Sequence, residues 1–364
     1  MLRPANIDEL YEIIAAGGKL RLRGGGSKEA IGAPCEAQVV DMRGFAGVVD
    51  YDPPELVLTV GAGTPLAEIE ALVAAEGQML AFDPFDHGPM LGNASGATIG
   101  GVIAAGVAGP ARLSRGGARD HLLGFTAVSG RGETFVAGAK VVKNVTGYDL
   151  PKLMAGSWGR LAALTEVTLK VLPAPRTRLT LAMRGLDATS AVAGIARALG
   201  SAAEVTAAAH LPDWRGEAVT ALRLDGFAES VAARAAMLPE FEALDDGDAL
   251  WLAVRDASPL PREWPLWRLI VAPGKAPGVI ASLPDAEWLF DWAGGLIWLA
   301  SNADPVTIRA AAQAAGGHAM LVRAGEAMRS AVPTLHPQPS ALAAIETRVR
   351  RAFDPDGVFE TGRF

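Results

Sequence analysis

Apolar positions in the first 80 residues switch between a helical period and a strand period. Leu10, Tyr11, Ile13 and Ile14 recur at helical spacing behind Asn6 and Glu9, which stand as a capping box, and Gly17-Gly18 ends the run. Lys19 to Arg23 alternates with period two, the pattern of a half-buried strand, and stops at Gly24-Gly25-Gly26-Ser27. Val39 to Met42, Val48 to Tyr51 and Leu56 to Val60 predict three further strands, with a turn at Asp52-Pro53-Pro54 and the last strand ending on Gly61-Ala62-Gly63. Thr64 as N-cap and Pro65 at the first helical position then predict a helix from Leu66 to Glu76. This stretch reads as a compact α/β unit.

From Phe82 to Lys170 glycines stay dense, and the alternating run Leu164 to Leu172 predicts a closing strand before the linker Pro173-Ala174-Pro175-Arg176. Beyond it the pattern predicts a strand at Leu179 to Met183, a helix around Ala188 to Leu199, strands near Ala218 to Leu224, and a helix from Ala228 to Leu238. Short tryptophan-bearing strands are expected near Trp251, Trp267 and Trp298, so this part is expected to be α+β. A last helix, about Ser340 to Phe353, ends in the turn Asp354-Pro355-Asp356-Gly357.

Composition sharpens the division. The 364 residues suffice for two domains, and 27 of the 42 glycines precede residue 173, whereas seven of the eight tryptophans follow it. Something in the first part therefore uses backbone freedom. A net charge of −7 without a long basic run argues against a nucleic-acid partner, and Arg348, Arg350 and Arg351 read as one solvated helix face. The single Cys35 can form neither an internal disulfide nor an iron–sulfur cluster, so an electron accepted here must leave through a partner or a diffusible acceptor. The first residues lack a signal-peptide pattern, and the apolar stretch Ala97 to Ala108 is well short of the roughly 20 residues that span a bilayer. A cytoplasmic protein is expected, at most peripheral to the membrane through an assembly.

Four motifs bear on chemistry. Arg23-Gly24-Gly25-Gly26-Ser27-Lys28 can aim successive amides at one point, making a nest for a phosphate with a hydroxyl and an ammonium beside it; a plain flexible turn is the alternative. Gly61-Ala62-Gly63-Thr64-Pro65 follows a strand and opens a helix as a dinucleotide fingerprint does, but Leu66 stands where that fingerprint needs a sixth small residue, which argues against a nicotinamide fold. Asn93 to Pro110 is almost free of side-chain bulk, which suits either a flat ligand lying on backbone or close helix packing. Lys143-Asn144-Val145-Thr146-Gly147-Tyr148-Asp149-Leu150 is a polar cluster that would also serve as a turn. Four such loops on one framework are what an extended diphosphate cofactor would need.

In this order the motifs resemble the flavin-binding domain of the vanillyl-alcohol oxidase and p-cresol methylhydroxylase superfamily. The resemblance rests on Arg23 to Ser27, Val60 to Thr64, Ala97-Thr98-Ile99-Gly100-Gly101 and Leu164 to Leu169, and covers residues 5 to 173. Gly106 to Arg112, Arg119-Asp120, Val142 to Leu150 and the ending Phe353 to Phe359 are further similar to the family of smaller FAD-binding subunits of glycolate oxidases; Glu360-Thr361-Gly362-Arg363 departs from the Asn-Pro-Gly-Arg common in relatives. The resemblance implies an α+β chain. Residues 1–173 would form a two-subdomain FAD-binding domain, 176–335 a smaller α+β cap, and 336–364 a helix and tail returning to the FAD domain. It implies FAD with its pyrophosphate on Gly24, Gly25, Gly26, Ser27 and Lys28, and its remaining length along Pro84, Gly96, Ala97, Thr98, Gly100, Gly101 and Gly106, with Arg23, Lys143, Tyr148 and Leu164 completing the site. Some members attach flavin through a histidine in the first glycine loop; this loop has none, so the FAD is expected to be non-covalent.

Relatives that oxidise 2-hydroxy acids carry a histidine cluster in the second domain. Here His210, His318 and His336 stand singly, without the spacing of paired ligands, and no metal site or catalytic residue is assigned. The resemblance therefore implies a subunit that holds FAD beside a larger catalytic flavin subunit and an iron–sulfur subunit, in a complex acting on glycolate or another small hydroxy acid. Two alternatives stay open. One is a structural subunit with an idle flavin site; the other is an autonomous oxidoreductase with Tyr148, Lys143 or Arg115 near the flavin ring.

Overall fold

The computed structural model describes residues 1–93, 96–139 and 148–364. The first helix, Ile7–Ala15, is capped by Asn6, whose Oδ1 accepts from the Glu9 amide at 2.9 Å, while the Glu9 carboxylate reaches one residue past the capping-box position to the Ala5 amide at 2.8 Å. Leu20–Arg23 pairs in parallel with Gln38–Asp41, and the glycine loop leaves from the end of the former. An antiparallel sheet follows, in the order Val48–Asp52, Val57–Gly61, Ala162–Lys170, Leu122–Ser129, Thr134–Gly138. All five residues of Val57–Gly61 are buried, which accounts for a mostly apolar strand in place of alternation, its one hydroxyl, on Thr59, being paired with Thr168 Oγ1 at 3.0 Å.

Thr64 does not cap the next helix. Its hydroxyl donates to the Gly61 carbonyl at 2.7 Å and accepts from the Gly47 amide at 2.9 Å, and Leu66–Ala75 starts from Pro65 without a side-chain cap. The tight turn at Gly61 to Gly63 takes the hydroxyl first, because a Cβ on Gly63 would stand 2.3 Å from the Met42 carbonyl and the chain must be held at that approach.

The second sheet has eight antiparallel strands, ordered Glu242–Ala243, Thr177–Arg184, Glu217–Gly226, Ala207–Trp214, Glu287–Asp291, Leu296–Ala300, Leu266–Ile270, His318–Arg323. One face packs on Val192, Val279 and Ile308 from the helices Ala188–Leu199, Ala276–Ala281 and Pro305–Ala314. The other face, through Leu266, Leu289, Trp298 and Val322, shares a core with Leu80, Phe82 and Met90 of the first part. Trp267 and Trp298 lie on strands as expected. Trp251 does not: it belongs to the helix Gly247–Asp256, where Leu250, Trp251 and Val254 form a buried stripe and the indole donates to Thr180 Oγ1 at 2.9 Å.

Charges also join the two parts. Asp225, only 2% exposed at its side chain, accepts from Arg115 at 2.6 Å and from Arg178 at 3.2 Å. Arg223, equally withdrawn from water, reaches Asp83 at 2.8 Å. The helix Ser340–Phe353 buries none of its residues, but the turn after it is anchored: Asp354 accepts from the amides of Val358 and Phe359 at 2.7 and 2.8 Å, and the Leu20 amide donates to the Val358 carbonyl at 2.8 Å. The tail thus runs beside the strand that delivers the glycine loop. Among the described residues no helix is long and apolar enough to cross a membrane.

Removing the Asp225 carboxylate leaves several guanidinium groups at a dry joint without their shared partner. Asp225→Ala is expected to destabilise the protein by about 3–5 kcal/mol in urea unfolding, as breaking a buried ion pair does. A loss below about 1 kcal/mol, the level of exposed pairs, would show that the joint does not depend on it.

Candidate cofactor-binding cleft

Between the first strand pair, the five-stranded sheet and the helix Ile99–Ala104 lies an open cleft. Gly24 and Gly25 form one wall by pressing against the segment before that helix. A Cβ on Gly24 would stand 2.0 Å from Thr98 Oγ1, and one on Gly25 would stand 1.6 Å from the Gly96 carbonyl oxygen. Gly26 adopts φ +83°, turning the chain into Ser27, which is buried. The opposing segment is held in turn. Asp86 accepts from the amides of Ala97 at 2.9 Å and Gly88 at 2.8 Å, Asn93 donates to the Gly26 carbonyl at 3.1 Å, and the Gly100 amide donates to the Ala62 carbonyl at 2.8 Å.

The charge in this cleft is unbalanced. Burial lowers the Lys28 ammonium to about 8, with Asp86 opposing the shift, and among the described residues the ammonium makes no hydrogen bond or ion pair. Arg21 and Arg23 are paired with Glu29, and Arg160 with Glu346 at 3.0 Å and Glu360 at 3.5 Å. Arg363 locks the far side of the loop, donating to the carbonyls of Lys28 at 2.7 Å, Glu29 at 2.9 Å and Ile31 at 2.8 Å. A wall of glycine backbone that no Cβ could enter, beside a desolvated lysine without a counter-ion, fits a diphosphate.

Of the residues singled out from sequence, Arg23, Gly24, Gly25, Gly26, Ser27, Lys28, Thr98, Gly100, Gly101 and Leu164 line this cleft. Gly96 and Ala97 stand behind its wall and act through backbone. Gly106, at φ +62°, packs on Gly156 beyond the far end of the helix. Pro84 lines a different cleft, with Asp83, Arg223 and Arg255. Tyr148 is 91% exposed and outside the lining, and Lys143 lies outside the described residues. The lining also includes Arg21, Trp158, Arg160, Thr361, Arg363 and Phe364, which sequence reasoning missed. The tail residues sit more than 330 positions from the loop they touch, and the departure at Glu360 to Arg363 is the sole sequence signal near them.

Among the described residues no histidine or cysteine stands in the lining. His121 faces the carbonyls of Arg115 at 2.7 Å and Lys170 at 3.4 Å, His210 faces Thr220 Oγ1 at 2.9 Å, and His336 accepts from the Ala319 amide at 3.2 Å. His87 is stacked on Phe85 at 4.5 Å, and burial, with Lys28 and Arg268 nearby, pushes its pKa well below the usual imidazole range. Among the described residues no group of three or more His, Cys, Asp or Glu could hold a metal ion.

A model of the FAD-binding domain family FAD_binding_4 matches residues 1–138. Over 365 aligned residues, 99% of this chain and 96% of the relative, the chain is 35% identical to glycolate oxidase subunit GlcE of Escherichia coli K12. The chain belongs to the GlcE family. Its FAD-binding architecture is that of the p-cresol methylhydroxylase type. A D-lactate dehydrogenase of Archaeoglobus fulgidus is 30% identical over 188 residues, half of this chain and 41% of that protein. Among solved structures, an alkyldihydroxyacetonephosphate synthase superposes with a TM-score of 0.67 over 99% of this chain and 76% of that one, at 14% identity, a likeness of fold.

Gly25→Ala places a methyl group where the Gly96 carbonyl stands, so the two segments must part. After reconstitution with FAD the variant is expected to lack the bound-flavin absorbance while keeping its far-ultraviolet circular dichroism. Gly274→Ala, at a site where the new methyl meets nothing within 4 Å, is the control that should retain flavin.

Proposed function

We propose that this GlcE-family chain is the FAD-holding subunit of a glycolate- or 2-hydroxy-acid-oxidising complex, exchanging electrons with a larger catalytic flavin subunit and an iron–sulfur subunit. The full-length likeness to a glycolate oxidase subunit carries this reading. The cleft supports the cofactor half: glycine amides from Gly24 to Gly26, Ser27 and Lys28 would hold the pyrophosphate, and Thr98, Gly100, Gly101 and Leu164 would border its length. In this reading residues 1–173 form the FAD domain, 176–335 the cap, and 336–364 the returning tail, and the protein works on the cytoplasmic side of the membrane.

Bound FAD supplies a redox centre able to accept and pass on electrons. The protein's own residues bind and orient it. Lys28 neutralises phosphate charge in a place that water reaches poorly, so its contribution exceeds that of an exposed lysine. Asp86 keeps the opposing backbone in place through its two amide contacts. His121, His210 and His336 already face backbone or hydroxyl partners outside the cleft, which supports assigning proton abstraction from the hydroxy acid to the larger subunit.

Anaerobic addition of glycolate to the purified chain, alone and with the larger flavin and iron–sulfur subunits, tests the division of labour. Bleaching of this chain's flavin is expected only in the assembled complex. Equally fast bleaching in the isolated chain would establish an autonomous oxidase instead.

The Lys28 environment adds a pH test. In the free protein its ammonium titrates near pH 8, below the ordinary 10.5, and an adjacent phosphate holds the proton on. FAD affinity should be full below pH 8 and fall as pH rises through 8, by at most about tenfold per pH unit for one linked proton. Lys28→Met is expected to bind more weakly and to lose this dependence in a fluorescence titration. An unchanged profile in the variant would remove Lys28 from the site.

A further inference from the structure

Resting on the FAD reading above, the geometry points to Trp158 and Phe364 as the aromatic face that receives the adenine ring, an inference we draw from how these two rings are held. Both line the cofactor cleft, both are half-buried, and their centroids are 4.7 Å apart at 33°. Trp158 adopts φ +57°, a left-handed conformation that a bulky residue takes only where its surroundings enforce it. They do so here: the Trp158 amide donates to the Ala104 carbonyl at 2.8 Å, and the Gly156 amide just before it donates to Ile103 at 3.0 Å. Phe364 is set by its neighbour Arg363, whose guanidinium is fastened to three carbonyls of the loop after Ser27 and lies 5.5 Å from the Phe364 ring.

Position along the cleft selects adenine over the flavin ring. Gly24 and Gly25 touch the segment that enters the helix Ile99–Ala104, whereas Trp158 docks on the carbonyl that ends it. Six helical residues separate the two contacts by about 9 Å, which suits one ribose between a pyrophosphate and a base. The cleft lining also offers the apolar side chains of Leu22, Ala104, Ala105, Ala162 and Leu164, and the Arg363 guanidinium beside the Phe364 ring is already held by backbone carbonyls. In the other direction Lys28 lies within electrostatic reach of Asp86 and His87, and His87 within reach of Arg268 on the second sheet. The redox ring, with its polar edge and its need to exchange electrons, belongs at that polar end, leaving the aromatic end for the adenine. A purine stacked on an aromatic ring contributes binding without any hydrogen bond of its own.

Titrating the full-length apoprotein with FAD, ADP and FMN tests this directly, because ADP carries only the adenine half and FMN only the flavin half. In the unmutated protein ADP is expected to displace FAD. Phe364→Leu and Trp158→Leu should weaken both FAD and ADP by roughly 5- to 100-fold, the loss of one base–aromatic stack, with FMN binding unchanged. Phe364→Tyr, which keeps the ring, should bind as the parent does. Three results would overturn the inference: no competition by ADP, an unchanged FAD affinity in folded Phe364→Leu, or an FMN loss as large as that for FAD. An unmutated chain that takes up no FAD would instead sink the cofactor reading itself.

Discussion

Two backbone segments, the first glycine loop and the stretch before the helix Ile99–Ala104, meet with nothing between them, and the rest of the cleft depends on that approach. Gly24 and Gly25 rest on Thr98 and on the Gly96 carbonyl at distances that exclude a Cβ on either glycine. The closeness makes the loop one wall of the cleft, and it also brings Asn93 within reach of the Gly26 carbonyl and lets Asp86 brace Ala97 from behind. The contact is steric in origin and polar in effect. A single methyl group defeats it because a carbonyl oxygen fixed in a packed segment cannot retreat as the end of a flexible side chain would.

The protein treats its withdrawn charges in two opposite ways. At the joint between the sheets the carboxylates have guanidinium partners: Asp225 holds Arg115 and Arg178, and Asp83 holds Arg223. In the cleft, Lys28 has none among the described residues, and its lowered pKa records the desolvation that a partner would offset. A paired charge fixes geometry, whereas an unpaired one can receive an anion. Having both arrangements in one chain lets the joint stay closed while the cleft remains able to accept a phosphate.

The local elements were legible in the sequence because local chemistry decides them. Asn6 and Glu9 begin a helix, the helices Ala188–Leu199 and Ser340–Phe353 occupy the spans their periodicity indicates, and the glycine loop stands at a strand end. Trp251 departs from its expected strand because an aromatic residue suits strands by propensity, and only Leu250 and Val254 around it reveal helical spacing. Thr64 misleads for a related reason: one hydroxyl can cap a helix or close a turn, and the close approach at Gly63 decides between them. Pro84 and Tyr148 group with the cofactor through the family resemblance, while in the structure Pro84 lines another cleft and Tyr148 is exposed. Trp158 with Arg363 and Phe364 cannot be read from pattern at all. Their meeting is a tertiary contact between a left-handed turn and a tail, and neither periodicity nor composition encodes it.

That contact changes how the second half of the chain relates to the first. A sheet of eight strands could pack on the cofactor domain through apolar contacts alone, and Leu266, Leu289, Trp298 and Val322 do so. The chain nevertheless returns past that sheet, and Asp354 fastens the returning turn so that the Val358 carbonyl meets Leu20 and Arg363 meets the loop after Ser27. Apolar burial is non-directional and would tolerate a sliding fit. Three hydrogen bonds from one planar guanidinium are directional, and they act on the carbonyls just after the glycine loop that walls the cleft. The precision of the first glycine loop is therefore set from both of its ends, by the strand Leu20–Arg23 that delivers it and by the tail that closes behind it.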